Sequence, residues 1–169
     1  MKFRKLWSFI LMIWPYLFLC CSTIEDDRLF ELFIILYTLF TVIVYVGNII
    51  NAFKYSAEDY HKLAFYNMII KLAHIPFYLL VFLVGVMFVL SAVVPALTFI
   101  TPFIIFCLFI IDFFLMLTSS MYGINALIKA RKEKIMTRKY TFIHILFHLI
   151  FVADVISSVM VYSALKKRK

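Results

Sequence analysis

A chain of 169 residues that is 66% hydrophobic and only 15% charged carries more apolar surface than a water-soluble core of that size can hide. Composition therefore excludes a soluble domain and makes lipid the solvent for most of the chain. The net charge of +8 sits beside apolar runs, so topology and anionic headgroups account for it and nucleic acid does not.

Lys2, Arg4 and Lys5 precede a first apolar run over residues 6–24. A basic start before an apolar core also describes a secretory signal. Trp7, Trp14, Pro15 and Tyr16 inside the run, and the lack of a small-residue cleavage site, favour a retained span. Glu25–Arg28 forms a polar turn, and the second span covers residues 29–53. In the next polar stretch, Ser56 followed by Glu58 and Asp59 reads as an N-cap with acids in the first turn of a helix. That helix supplies the third span, about 63–94. Pro76 is expected to kink it, and its first half to lie partly in the headgroup region. Residues 95–102 make a tight turn before a fourth span at 103–127. Lys129–Lys139 holds six basic residues and Glu133. A fifth span at 140–165 precedes Lys166–Lys169.

Each run reaches the roughly 17–25 residues that a bilayer requires, and lipid forces the backbone to be helical. The expected fold is all-α, a single integral membrane bundle of five transmembrane helices. The basic segments put the N-terminus in the cytoplasm. One conflict stands: five spans leave Lys166–Lys169 outside, unless the last segment re-enters and returns.

Polar residues recur at helical spacing inside the spans. Tyr37, Thr41, Asn48 and Asn51 share one face, as do Asn67, Lys71, His74 and Tyr78. Asp112, Ser119 and Gly123 align, and His144, His148, Asp154 and Ser158 occupy one half of the last helix. Ile145, Leu149, Val152, Ile156 and Met160 occupy its other half and are expected to face lipid. An ionised Asp at mid-bilayer costs about 2.5–3.5 kcal/mol, so Asp112 and Asp154 need partners. Asp112, His148, Asp154, His144, His74 and Lys71 are the candidates for a proton relay, with an Asp112–His148 hydrogen bond at its centre. Lys71 is expected to snorkel to the headgroups. Asn48, Asn51, Asn67 and Ser119 read as polar glue between helices. His144 and His148 have the spacing of a weak metal pair that lacks further ligands. No motif calls for a cofactor, and Cys20, Cys21 and Cys107 fit neither a disulfide framework nor a zinc site.

Asn67–Tyr78 (NMIIKLAHIPFY) and Ser119–Lys132 (SSMYGINALIKARK) resemble segments of a family of small, uncharacterised multi-pass membrane proteins of low-GC Gram-positive bacteria. The resemblance covers most of the chain after the first span. It implies a bacterial plasma membrane and carries over no catalytic residue. The expected function is that of a non-enzymatic membrane protein acting through helix contacts, with itself as a homo-oligomer or with a membrane-protein partner. The alternatives are a small proton- or ion-coupled transporter and, less favoured, an intramembrane metalloenzyme using His144 and His148.

Overall fold

The computed structural model describes residues 2–167 and is built of helices. The elements are α1 (Lys2–Leu17), a 3₁₀ turn (Phe18–Thr23), α2 (Asp27–Phe53), α3 (Tyr60–Ser91), the short α4 (Pro95–Thr98), α5 (Thr101–Lys132), α6 (Arg138–Phe147) and α7 (Phe151–Lys166). Four segments are long and apolar enough to cross a membrane: Lys5–Thr23, Asp27–Phe53, Tyr60–Ser91 and Thr101–Lys132.

Local chemistry sets the helix ends. Asp26 caps α2 by accepting the backbone N–H groups of Arg28 and Leu29 at 2.9 and 3.0 Å. Thr137 caps α6 by accepting from Tyr140 N. Ser56 does not cap as expected: its hydroxyl donates to Asp59 at 2.8 Å, and α3 begins only at Tyr60. Lys62 also pairs with Asp59 and holds its carboxyl below the usual carboxylate range. At the end of α5 the N–H groups of Lys134 and Ile135 return to the carbonyls of Arg131 and Ala130, with Lys134 in the left-handed region at φ 58°.

The expected fifth span is not one helix. α6 ends at Phe147 and α7 starts at Phe151. In a continuous helix His144 and Ser157 would stand about 20 Å apart. Here His144 Nδ1 and Ser157 Oγ are 2.7 Å apart, so the chain folds back on itself. The return path is fixed by α3. Phe151 meets Tyr78 midway along that helix, with ring centroids 4.8 Å apart, and Tyr162 meets Phe65 near its start. α6 and α7 are therefore a helical hairpin whose two open ends lie at the end of the bundle that carries the α2–α3 turn. With 10 residues, α6 reaches about 15 Å inward. Arg168 and Lys169 of the basic tail lie outside the described residues, as does Met1.

α1 runs parallel to α3 and antiparallel to α2: Leu11 meets His74 and Tyr16 meets Phe77, while Trp7 lies over Gly47 and Trp14 stacks on Tyr37. A proline explains one of these contacts. Pro15 has no N–H, which leaves the Leu11 carbonyl without its helical donor. His74 Nε2 fills that place at 2.9 Å. In return the Tyr16 hydroxyl donates to the Ala73 carbonyl, three residues before Pro76.

Packing is uneven along the bundle. α2 buries Val44, Asn48, Asn51 and Ala52, and nothing nearer its start. α3 buries nothing beyond Val81. The first half of α3 is its most enclosed part, because α1, α5 and the hairpin surround it there. The half that holds the hairpin is well filled, and the opposite half is open.

Candidate functional site

The hairpin carries charge into the bundle. Lys71 and Asp154 form an ion pair, and their side chains are 0% and 1% exposed. Lys71 Nζ also donates to the Met116 carbonyl at 2.9 Å and to Ser120 Oγ at 2.8 Å, which uses its three protons. The other Asp154 oxygen accepts from His148 Nδ1 at 2.7 Å and lies 3.2 Å from Ser120 Oγ. Ser120 Oγ is also 3.0 Å from the His148 carbonyl at the turn of the hairpin. Three elements thus meet at one enclosed cluster. α3 brings the ammonium, α7 the carboxylate and α5 the hydroxyl, while the turn brings the imidazole.

Burial without pairing would be prohibitive for either charge, which is why each is saturated with partners. Lys71 therefore does not snorkel: its ammonium is fully enclosed and turned to the Asp154 carboxylate. With Nδ1–H committed to Asp154, His148 presents Nε2 as a bare acceptor. That atom has no hydrogen-bond partner, nor do the two amide atoms of Asn67. Both side chains press on Gly123. A Cβ placed there would lie 2.5 Å from Asn67 Nδ2 and 2.6 Å from His148 Nε2.

The three glycines consequently differ. Gly123→Ala is expected to cost about 1–3 kcal/mol by overpacking. Gly47→Ala should cost less, because the Trp7 ring it meets is only half-buried and can swing aside. Gly85→Ala meets nothing within 4 Å and should stabilise by up to about 1 kcal/mol through helix propensity. Thermal unfolding of the three variants in one mild detergent checks the order.

The remaining candidates fall into separate groups. His144 pairs with Ser157, and His74 with the Leu11 carbonyl. Asp112 does not bond His148 as expected. Its Oδ1 has no partner, and with Tyr78 it lines an open groove. Asn48 and Asn51 bind a residue that sequence reasoning passed over: Tyr122 Oη donates to Asn48 Oδ1 and accepts from Asn51 Nδ2, both at 2.8 Å. Ser119 bonds back to the carbonyls of its own helix, and its neighbour Ser120 makes the cross-links. Among the described residues no group of three or more His, Cys, Asp or Glu is placed to hold a metal.

A model of a family of unknown function, DUF6652, matches residues 6–168. The chain belongs to this family. No curated protein and no solved structure matches it. Membership of DUF6652 brings no activity with it, so the chemistry must be argued from the cluster itself.

Proposed function

We propose that this DUF6652 member is a multi-pass protein of a bacterial plasma membrane that acts without chemistry of its own, through helix contacts with itself or a larger assembly. The finer topology we propose has four spans, a cytoplasmic N-terminus, and α6–α7 as a hairpin that dips from the cytoplasmic side to mid-bilayer and returns. Supporting it, the basic segments at residues 2–5, 54–62 and 129–139 and the start of the tail at Lys166 then share one face. Arg28 is the single Lys or Arg among residues 18–28 and 92–101, on the other face. Leu149, Val152, Ile156 and Met160 are 46%, 71%, 56% and 49% exposed, as a lipid-facing stripe requires.

The observation that carries the non-enzymatic reading is the saturation of the Lys71–Asp154 pair. Lys71 is ion-paired with Asp154 and donates to two neutral acceptors, and Asp154 accepts from His148, which is the behaviour of a tie that holds the hairpin in place. α2 adds a surface for assembly, since from Asp27 to Ile43 none of its side chains is fully buried and only one side packs on α1, where Tyr37 and Thr41 meet Trp14. Single-cysteine labelling on a cysteine-free background tests the topology. Labels at Thr137 and at Lys167 should react from the cytoplasmic side alone; a Lys167 label that reacts from outside restores a fifth span and removes the hairpin.

A second reading, a small proton- or ion-coupled transporter, is favoured by the bare His148 Nε2 and the unpartnered Asn67 beside it. On this reading His148 takes up and releases a proton at Nε2 while the Asp154 carboxylate holds Nδ1–H, as imidazole–carboxylate pairs do. Reconstituted vesicles loaded with a pH-sensitive dye decide it. Collapse of an imposed pH gradient that His148→Gln abolishes supports transport; a gradient that decays at the rate of empty vesicles removes it.

A further inference from the structure

The hairpin stops midway, and what it leaves behind is a groove of about 380 Å³ between the second half of α3 and the first half of α5. Gly85, Val86 and Val89 line one wall and Ile105, Leu108 and Phe109 the other. Tyr78, Asp112 and Phe151 form its inner end. Its volume falls in the range of small-molecule sites. Tyr78 to Leu90 spans about 18 Å of helix, close to the depth of one leaflet.

Two polar atoms at the inner end are unexplained by the fold. Asp112 is 8% exposed and Tyr78 9% exposed. Neither Asp112 Oδ1 nor the Tyr78 hydroxyl has a hydrogen-bond partner. The nearby cation cannot serve, because Lys71 is committed to Asp154. The spanning parts of α3 and α5 in a second copy offer no free cation either: Lys71 is the single Lys or Arg between residues 63 and 128. A spanning helix from a partner would run into Phe151, which closes the groove at mid-depth with its ring on Tyr78.

We propose that this groove binds a membrane-soluble amine, an apolar molecule about one leaflet long whose protonated nitrogen pairs with Asp112 and donates to the Tyr78 hydroxyl oxygen. The apolar walls take the body of the molecule, and the carboxylate supplies the one charge-assisted bond that fixes its orientation. The proposal rests on the membrane placement above, which the labelling experiment tests separately.

The test uses the full chain in phosphatidylcholine nanodiscs with a diazirine-bearing dodecylamine, adducts being mapped by mass spectrometry. Adducts should concentrate on Val86, Leu108 and Phe109 and be competed by unlabelled dodecylamine. Asp112→Asn should lower them about tenfold or more, the worth of a charge-assisted bond. Gly85→Leu should do the same by filling the groove, and it keeps the fold because a Cβ at Gly85 meets nothing within 4 Å. Circular dichroism and melting curves matching wild type confirm that both variants are folded. Equal labelling by the matching alcohol, unchanged labelling in either folded variant, or adducts spread evenly over the exposed face of α2 would overturn the proposal. Competition by a lysine-bearing transmembrane peptide, with none by dodecylamine, would assign the groove to a protein helix and overturn it as well.

Discussion

Asp154→Leu is expected to destabilise the protein by about 3–5 kcal/mol, because it strands the Lys71 ammonium in an enclosed site with two neutral acceptors, Met116 O and Ser120 Oγ. Lys71→Met should cost less. It leaves Asp154 beside His148, and the imidazole can take up a proton and become the missing counter-charge. The double variant Lys71→Met/Asp154→Leu should recover most of the loss, since apolar pairs of similar volume commonly replace buried ion pairs at little cost. What remains is the His148 Nδ1–H left without its acceptor, worth about 1–3 kcal/mol. The measurement is a double-mutant cycle, by denaturant titration in mixed micelles followed through Trp7 and Trp14 fluorescence. Strong positive coupling is the expected result; additive single-mutant effects would mean that the pair does not hold the hairpin.

The success and failure of the sequence reading have the same origin, the assumption that each apolar run is one straight helix. Where that holds, spacing located the inward face. Asn67, Lys71, His74 and Tyr78 fall at i, i+4, i+7 and i+11, and all four are buried along an unbroken α3. Where it fails, the pairings inferred across the segment fail with it. Residues 140–165 are long and apolar enough to cross, and His148–Ile150 contains no Gly or Pro to announce a turn. The turn survives without them because the N–H groups of Leu149 and Ile150 reach Leu146 O and Phe147 O at 3.0 and 3.2 Å. Counting along a straight helix paired His148 with Asp112 and sent Lys71 to the headgroups. Folding the segment back reverses both. The legible clue was the basic tail, which five spans would part from the other basic segments and which the hairpin keeps at the same end of the bundle as the α2–α3 turn.

Ser120 and Tyr122 were missed for a different reason. On α5 the face that meets α2 and the hairpin is wide, and 13 of its side chains are buried. A narrow stripe drawn through Asp112, Ser119 and Gly123 passes beside the two residues that make the cross-links. Tyrosine in an apolar run also reads as an interface anchor, and its spacing alone does not reveal that two asparagines on another helix converge on its hydroxyl.

That convergence makes Tyr122 the second position of large effect. Tyr122 is 0% exposed, and it joins α5 to the end of α2 through Asn48 and Asn51. The same seam continues as Asn125 donates to the Ala52 carbonyl and Lys129 to the Tyr55 carbonyl, which takes up acceptors at the C-terminal end of α2. Tyr122→Ala is expected to cost about 3–5 kcal/mol, as deletion of a buried aromatic ring does. Tyr122→Phe keeps the ring and removes one oxygen, which separates the polar share from the packing share. It leaves Asn48 Oδ1 and Asn51 Nδ2 without their shared partner, for an expected loss of about 1–3 kcal/mol. The triple variant Asn48→Leu/Asn51→Leu/Tyr122→Phe removes all three polar groups together, and it should be more stable than Tyr122→Phe because no buried amide is then left unsatisfied. Steric-trap unfolding in bicelles reads the three values on one scale. If Tyr122→Phe matches wild type, the seam between α2 and α5 is held by packing alone, and the asparagines contribute no specificity to it.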